Sequence, residues 1–571
     1  MFFKLLVSLC LFLWLQGCTT LTSLQGHIQY QGGGLKKTYY QVKIPTHDGL
    51  NLTATVFQPA ISAGESAPVI VHAHGFGVWR VSSPHSLYAK LAYTGEAALA
   101  AWEKGYWVIS YDQRGFGSSE GNIALMHPEK EVKDVSSVID WAVLNIPNLQ
   151  KDEHDFAIGM IGESYGGGAQ LLASVFDARI DAIVPVTTWH DLTKAIELGA
   201  AKTLWGAVLY SGGEFGSTFS LEPDVREAFH GALTNDLNAF HMAELKLRSM
   251  SHYCDLEQWP NADVLLIQAF TDTVLTVNHA LANKACFEKA GRDARAILVQ
   301  NGHNMPLTDG VMRMPLYSVD DSVHCGSQSY SLVDMALNWW DEKLKRVGGA
   351  AEQVPNYCIT FSEEAGVSRE HPVTLRETFQ FDPHAVTAGW AGIGEWVLQP
   401  LDMLLDIFRG GSENTALQDQ TRGGVVRPLF IPLKSIAEPT MIYGAPTVQL
   451  RTLFESDDEN AVLFVGVGLK EAGDERVQLL DYQVQALTQS KVQQGLAVEL
   501  PVVSAALRQG DVLGLLVYGY HSHYLFRGPF WPITASISGE VSLPFLAEEK
   551  EFAQLEAQVH GQAQAQTVAF E

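Results

Sequence analysis

The sequence is short of positive charge. Its 571 residues include 38 lysines and arginines against 64 aspartates and glutamates, which gives a formal net charge of -26 at pH 7. No basic cluster reverses this balance locally, so the phosphates of a nucleic acid would be repelled. We therefore expect no nucleic-acid partner, and we interpret the acidity as a solvated surface rather than as attraction of a cationic substrate.

Long hydrophobic runs are also missing. The apolar run at residues 5–15 follows Lys4 and is too short to span a bilayer, but it is typical of a signal peptide. It ends at Leu15-Gln16-Gly17-Cys18, which resembles a bacterial lipoprotein box. The resemblance implies cleavage after a signal peptide of residues 1–17 and lipid attachment to Cys18.

We therefore expect an exported protein that is lipid-anchored to the bacterial cell envelope and contacts the membrane through this anchor. Thr19 is not the aspartate that retains such proteins at the inner membrane, so the outer membrane is the expected site in a Gram-negative cell. An ordinary secreted protein is the alternative.

Cysteine is scarce. Apart from two N-terminal cysteines, the chain has Cys254, Cys286, Cys325 and Cys358, whose spacing is too irregular for a metal site. We expect neither a metal nor a cofactor. In an oxidising compartment these four thiols could form disulfides in three pairings, while free buried thiols are the alternative.

Apolar runs of strand length alternate with helical periodicity after a polar tether at residues 18–37. Strands are predicted at 68–74, 106–112, 156–162 and 180–187, and helices at 86–104, 129–145 and 166–176. This alternation predicts a doubly wound, mostly parallel α/β sheet over residues 38–348. The alternation breaks at about 189–259, where we expect an inserted helical cap.

The pattern changes again after residue 348. Over residues 354–545 the predicted strands are short and alternating, for example 447–454, 461–469 and 512–518, which indicates an all-β antiparallel sandwich. Residues 546–571 form a polar C-terminal tail.

The motif with the most chemical content is Gly162-Glu163-Ser164-Tyr165-Gly166, preceded by an apolar strand and followed by a helix. A serine on so tight a strand-to-helix turn needs small neighbours and presents its hydroxyl above the carboxyl end of the sheet. This context is the nucleophile elbow of the α/β-hydrolase fold. Ser164 is therefore the predicted nucleophile.

A serine nucleophile needs a base and an acid that orients the base, in the chain order Ser, Asp, His. Asp272 and His303 each follow an apolar strand, so both are expected at the edge of the sheet where Ser164 lies. Asp263 and Asp293 would lie at the opposite strand ends.

An oxyanion hole would use the backbone N–H after the nucleophile and another from the loop after an early strand. Tyr165 supplies the first N–H. For the second, Phe76 lies in the loop His74-Gly75-Phe76-Gly77, which follows the predicted strand 68–74. His72 alternates with apolar residues and is predicted to be a core group or one that supports the site.

The run from Tyr111 to Gly121 (YDQRGFGSSEG), together with the Ser164 motif and the strand before Asp272, resembles the X-prolyl dipeptidyl peptidase and cocaine esterase group. The resemblance spans about residues 40 to 540. It implies an α/β-hydrolase with a helical cap and a C-terminal jelly-roll, galactose-binding-like sandwich, and it supports the triad of Ser164, Asp272 and His303. Relatives commonly have a tyrosine hydroxyl in the oxyanion hole, whereas Phe76 has none, so dipeptidase specificity does not transfer directly.

The function expected from these features is that of a serine hydrolase acting on a small acyl ester, amide or peptide substrate. One alternative is an X-Pro dipeptidyl-peptidase-type serine peptidase. The other is a non-catalytic surface lipoprotein that binds a glycan or a partner.

Three further features have structural interpretations. We predict a structural ion pair between Asp112 and Arg114, with substrate contact as the alternative. We interpret His521 and His523 as exposed loop histidines rather than metal ligands, because no third ligand has suitable spacing. The apolar spacing at residues 395–409 predicts a helix that packs against the hydrolase, with a lid or a lipid contact as the alternative.

Overall fold

A computed structural model describes residues 28–152, 155–196, 202–302, 321–362, 364–389, 428–454, 461–489, 497–524, 528 and 533–547. The predicted signal peptide, Cys18, His303, the apolar segment 395–409 and most of the predicted tail lie outside these residues. The described residues form an α/β part followed by a β-sandwich.

The α/β part is organised around one large sheet. Its strands, with two small hairpins, are β1 (Tyr30–Gln31), β2 (Gly34–Leu35), β3 (Thr38–Pro45), β4 (Asn51–Gln58), β5 (Val69–Ala73), β6 (Trp107–Tyr111), β7 (Ile158–Glu163), β8 (Ala182–Val186), β9 (Asp263–Ala269), β10 (Ala294–Val299), β11 (Ser322–Cys325), β12 (Gln328–Ser331), β13 (Tyr357–Ser362) and β14 (Ala365–Arg369).

The order of strands in this sheet is β14-β13-β10-β9-β8-β7-β5-β6-β4-β3. The strands from β6 to β13 in this order run parallel, while β4 pairs antiparallel with β6 and β3, and β14 pairs antiparallel with β13. The edge strands are β3 and β14. Every residue of β5, β6, β7 and β8 is buried, as expected for parallel strands covered on both faces. The carboxyl ends of the parallel strands therefore form one edge, where the loops after β5, β7, β9 and β10 meet.

Helices cover both faces of the sheet. Their bounds are α1 (Leu87–Leu91), α2 (Tyr93–Glu103), α3 (Lys133–Asn145), α4 (Tyr165–Phe176), α5 (Leu192–Ala195), α6 (Thr203–Gly216), α7 (Pro223–Thr234), α8 (Ala239–Leu247), α9 (Met250–Asp255), α10 (Val277–Lys289) and α11 (Leu332–Lys343).

Two predicted helices differ in detail. The predicted helix 86–104 is divided at Ala92, whose backbone is extended, into α1 and α2. The predicted helix 129–145 begins with a π-helical turn, Pro128–Val132, before α3. Helices α5 to α9 lie between β8 and β9 and form the inserted helical cap.

The second part is an antiparallel sandwich. Its strands are β15 (Thr374–Ala388), β16 (Leu429–Ser435), β17 (Thr440–Gly444), β18 (Thr447–Phe454), β19 (Val462–Lys470), β20 (Val477–Leu479), β21 (Gln485–Thr488), β22 (Val498–Glu499), β23 (Val503–Leu507), β24 (Val512–Tyr518) and β25 (Ile533–Leu546). One sheet is built around β25, which pairs with β15, β17 and β18, and the other around β19 and β24. Alternate residues of both sheets, such as Leu450, Val465 and Leu515, fill a shared apolar core.

The strand pairing differs from the predicted start of the sandwich at residue 354. Strand β13 pairs in parallel with β10, and β14 pairs with β13, so the hydrolase sheet continues to Arg369. A short apolar strand such as β13 suits either domain, and its partner cannot be read from its own residues.

In the part of the chain that the structure describes, no helix combines the length and the apolar character needed to cross a membrane.

Candidate active site

Ser164 lies on the turn between β7 and α4. Its backbone has φ 52° and ψ −111°, a left-handed conformation that costs free energy for a residue with a side chain. The Ser164 N–H donates to the carbonyl of Val186 at 2.8 Å, which ties the turn to β8. The strand, turn and helix predicted around Ser164 are confirmed.

The glycines of the motif are required by close packing. A Cβ on Gly166 would lie 2.0 Å from the carbonyl oxygen of Ala73, and one on Gly162 would lie 2.5 Å from the same atom. Both glycines let the turn pack against the end of β5. The end of β5 therefore comes directly alongside Ser164, together with the loop that follows it.

Asp272 is fully buried in the loop after β9. Its Oδ1 accepts hydrogen bonds from the N–H groups of Val274 at 3.0 Å and Leu275 at 2.8 Å. Its Oδ2 accepts from Gln268 Nε2 at 3.2 Å. The carboxylate is thus held in one orientation, as a residue that orients a base must be.

Asp263 and Asp293, the other aspartates considered for the triad, lie at the opposite end of the sheet. Asp263 is the first residue of β9 and Asp293 immediately precedes β10, and both form ion pairs with Lys343. These two carboxylates are therefore remote from the turn that carries Ser164.

A chain of hydrogen bonds joins the serine turn to the aspartate loop. Thr188 Oγ1 donates to the carbonyl of Ser164 at 2.9 Å, and the Thr188 N–H donates to Gln268 Oε1 at 3.2 Å. Gln268 Nε2 also donates to the carbonyl of Leu275 at 2.5 Å. Neither Thr188 nor Gln268 was found from the sequence. The available signal was one polar residue, Gln268, directly after the apolar run 264–267 of β9.

His303 lies outside the described residues, but the residues that precede it, up to Gly302, are described. Strand β10 lies beside β9 in parallel and ends at Val299. The carbonyl of Gln300 accepts hydrogen bonds from Thr271 Oγ1 at 2.5 Å and from the Thr271 N–H at 3.4 Å. The segment entering residue 303 therefore begins next to Asp272.

The loop after β5 carries Phe76, the second candidate oxyanion donor. His74 fixes this loop because its Nδ1 donates to the carbonyl of Gly75 at 2.7 Å and its Nε2 accepts from the Gln113 N–H at 3.0 Å. Burial lowers the pKa of His74, in agreement with this neutral tautomer. Gln113 Nε2 also donates to the carbonyl of His74 at 2.6 Å. This His74–Gln113 pair was missed in the sequence.

Aromatic rings enclose the same loop. The ring of Phe76 packs edge-on against Phe116 at 5.3 Å and Tyr165 at 5.2 Å between centroids. The Tyr165 hydroxyl donates to the buried Glu131 at 3.1 Å and accepts from the Met126 N–H at 2.9 Å. Tyr165 is thereby anchored at both its ring and its hydroxyl, which fixes the start of α4.

Cap helix α6 contacts both loops of the site. At its first turn, Trp205 Nε1 donates to Thr273 Oγ1, next to Asp272, at 2.9 Å. At its last turns, a Cβ on Gly213 would lie 2.9 Å from the Phe76 ring, and one on Gly216 would lie 2.7 Å from the Gly77 carbonyl. The cap therefore packs on the aspartate loop and on the Phe76 loop.

The predicted ion pair between Asp112 and Arg114 is wrong. Asp112 is bonded instead to Arg80, while Arg114 pairs with Asp134 at 2.7 Å and with Asp48 at 2.6 Å. Asp112 and Arg114 both follow β6, but each forms its ion pairs with different segments of the chain. The predicted structural role of both residues is retained with these new partners.

His47, Asp48 and Asp134 are the one group of possible metal ligands that comes together among the described residues. Arg114 already supplies a cation to both of these carboxylates. We assign no metal to this group.

His72 is a core residue, as one of its two predicted roles requires. It is fully buried, with Nδ1 at 2.8 Å from Ser110 Oγ and Nε2 at 3.4 Å from Thr94 Oγ1.

The expectation of exposed histidines at 521 and 523 is wrong, since these residues are 4% and 2% exposed. His521 packs against Tyr518, Phe464 and His523 at the end of β24.

All four cysteines outside the N-terminal region form disulfides. Cys254 pairs with Cys286 and Cys325 pairs with Cys358, with Cα–Cα distances of 6.0 and 5.4 Å. The first bond joins the cap to α10, and the second joins β11 to β13. One of the three possible pairings is thereby selected.

The parallel sheet, the serine turn and the cap together define an α/β-hydrolase with a C-terminal all-β sandwich. The family model of X-Pro dipeptidyl-peptidases (S15 family) matches residues 48–304. This match covers most of the α/β-hydrolase domain and agrees with the predicted resemblance to X-prolyl dipeptidyl peptidases and cocaine esterases.

Solved structures share this fold at low sequence identity. A CocE/NonD family hydrolase from Staphylococcus aureus is 12% identical with a TM-score of 0.59, and the match covers 93% of this chain and 100% of that one. An alpha-amino acid ester hydrolase is 15% identical with a TM-score of 0.60, and the match covers 92% and 100% of the two chains.

Curated relatives match over a shorter stretch. An uncharacterized 31.7 kDa protein of Escherichia coli is 32% identical over 154 residues, which is 26% of this chain and 47% of that protein. The chain spans about half the length of the curated relatives it matches.

Proposed function

We propose that this protein hydrolyses ester or amide bonds of small acyl substrates through Ser164, His303 and Asp272 and an acyl-enzyme intermediate. The observation that carries the proposal is the strained turn of Ser164, joined through Thr188 and Gln268 to the buried carboxylate of Asp272. Strained backbone is concentrated at functional sites, and this strain holds a serine at the carboxyl edge of the sheet.

In the proposed reaction Ser164 Oγ attacks the substrate carbonyl carbon while His303 takes the hydroxyl proton. The backbone N–H groups of Tyr165 and Phe76 donate to the oxyanion. His303 then gives its proton to the leaving alcohol or amine, and the acyl group remains on Ser164. Water attacks this ester with His303 again as the base, which releases the acid and restores the serine.

Asp272 acts on the base rather than on the substrate. Its carboxylate would hold His303 in the tautomer that accepts a proton on the side of Ser164, and would stabilise the imidazolium that forms. The two N–H donors and the Gln268 amide fix the direction of that carboxylate before substrate binds.

X-Pro dipeptidyl-peptidase activity is the second candidate because of the family model that matches the domain. Such a peptidase would need a carboxylate to bind the substrate ammonium group. In the described cap residues the buried carboxylates Asp191 and Glu214 are already paired, with Lys246 at 3.1 Å and Arg226 at 2.5 Å. This pairing favours ester or amide hydrolysis without a requirement for a free amino terminus.

The test compares three purified proteins on activated short-chain esters and on an X-Pro peptide. Ser164→Ala should abolish ester turnover, whereas Ser327→Ala, which changes an exposed serine of the β11–β12 turn, should not. Turnover of the esters by Ser164→Ala at the wild-type rate would contradict the proposal. Faster cleavage of the peptide than of the esters by the wild type would favour the peptidase. No turnover of either by folded protein would favour the non-catalytic, glycan- or partner-binding alternative.

We also propose that the protein is exported and carries lipid on Cys18. The two disulfides support export, because such bonds persist in oxidising compartments. Metabolic labelling with a radioactive fatty acid should mark the wild type and not Cys18→Ser. Equal labelling of the two proteins would contradict lipidation at this residue.

A further inference from the structure

The β-sandwich contacts the loop that carries Asp272. Gln483, from the turn between β20 and β21, is 2% exposed. Its Nε2 donates to the carbonyl of Phe270 at 2.6 Å and to the carbonyl of Asp272 at 3.0 Å. One amide group of the sandwich thus spans the backbone on both sides of Thr271.

The backbone that presents Gln483 is itself constrained. Asp481 and Tyr482 both have positive φ, 50° and 57°, although neither is glycine. Such conformations cost free energy and persist where neighbouring contacts hold them. Here an Asp481 oxygen accepts the Ser504 N–H at 2.7 Å. The turn is therefore fixed from within the sandwich while Gln483 reaches the hydrolase domain.

A second set of bonds reaches the segment that leads to His303. Ser504 Oγ donates to the carbonyl of Thr360 at 2.9 Å. Gln300 Nε2 donates to the same carbonyl at 2.9 Å and to Ser504 Oγ at 3.3 Å. Because the Gln300 carbonyl also accepts from Thr271, the loops after β9 and β10 are connected to each other and to the sandwich.

We propose that the sandwich helps to position the catalytic residues, and that Gln483 is a positioning residue that fixes the backbone of the loop carrying Asp272. The inference rests on the proposed function, since it assigns Asp272 and His303 their roles there. Gln483 touches neither the substrate nor the reacting atoms and acts through the backbone of the aspartate loop. Displacing a catalytic group by about 1 Å can lower the rate about 100-fold, so two buried hydrogen bonds to this loop are enough to matter.

The test uses Gln483→Met, which keeps the length of the side chain and removes its donor. The matched control is Asn278→Ala. Asn278 also bonds to the sandwich, accepting the Val502 N–H at 2.8 Å and donating to Glu499 at 3.0 Å. On the hydrolase side it accepts from Thr276 Oγ1 at 3.2 Å, at the end of the loop, and it makes no hydrogen bond to Phe270, Thr271 or Asp272. Active sites are counted by fluorophosphonate titration, and kcat, KM and the pH profile of kcat/KM are measured for each full-length protein.

We expect Gln483→Met to lower kcat per active site about 10- to 100-fold with little change in KM, because an orientation needed in the transition state is lost. The acid limb of its pH profile should move to lower pH, since a misaligned carboxylate raises the pKa of the base less. Asn278→Ala should keep the wild-type kcat and acid limb.

A purely structural role predicts fewer titratable sites but unchanged kcat and acid limb per site, and that result would overturn the inference. An equal effect of Asn278→Ala on kcat and on the acid limb would overturn it as well. Failure of the proposed function has a different signature, because the wild type would then neither react with fluorophosphonate nor turn over ester.

Discussion

Gly166→Ala tests whether the glycine of the serine turn is needed for close packing. The new Cβ would lie 2.0 Å from the carbonyl oxygen of Ala73, and a Cβ essentially never approaches another atom within 3.0 Å. The opposing atom belongs to the backbone at the end of β5, in the middle of the sheet, so strand and helix must separate. Overpacking of this kind costs about 3 kcal/mol, and the better helix propensity of alanine returns roughly 1 kcal/mol. We therefore expect a net loss of about 2 kcal/mol.

The free energy of unfolding would be measured by urea denaturation, together with ester turnover. Gly212→Ala is the matched control, because Gly212 is also helical and a Cβ there meets nothing within 4 Å. The control should gain roughly 1 kcal/mol from helix propensity. We expect Gly166→Ala to lose about 100-fold in kcat, since Ser164 shifts with the turn. A Gly166→Ala protein as stable and as active as the wild type would refute this reasoning.

Two further predictions concern a buried amide, Gln268, and a half-buried carboxyl group, Asp481. Gln268→Met removes three hydrogen bonds, including one to Asp272, and leaves their buried partners unsatisfied. We therefore expect the free energy of unfolding, measured by urea denaturation, to fall by about 2–4 kcal/mol, and kcat to fall as well. An unchanged kcat would argue against a role of Gln268 in orienting the Asp272 carboxylate. Burial raises the pKa of Asp481 to about 7, so the folded state holds this proton more tightly and stability should fall as the pH rises from about 4 to about 7. Asp481→Asn keeps the left-handed backbone and should remove that fall, so that its Tm exceeds the wild-type Tm at pH 8 but not at pH 4.5. Equal differences in Tm at both pH values would contradict this assignment.

Local patterns identified much of the fold. The apolar runs of β5 to β8, alternating with helical periodicity, indicated covered parallel strands, and the glycines around Ser164 required a tight turn between strand and helix. The strands predicted at 447–454 and 512–518 have the bounds of β18 and β24. In each of these cases the signal lies within a few consecutive residues.

Features that depend on distant residues were not predictable in the same way. The partner of β13 and the partners of Asp112 and Arg114 follow from where separate segments meet. The local sequence does not show that His521 and His523 are buried, because a polar loop sequence is compatible with a buried or an exposed position. The contact of Gln483 with the Asp272 loop joins residues more than 200 positions apart, and no local sequence pattern predicts it.

Covalent labelling is the most direct test of whether Ser164 is an activated nucleophile. The purified chain lacking residues 1–18 would be treated with a fluorophosphonate probe, digested and analysed by mass spectrometry. We expect modification of Ser164 in the wild type, its absence in Ser164→Ala, and its loss in His303→Ala, where the base is missing. Labelling of a different residue, or no labelling of a protein shown to be folded, would contradict this expectation.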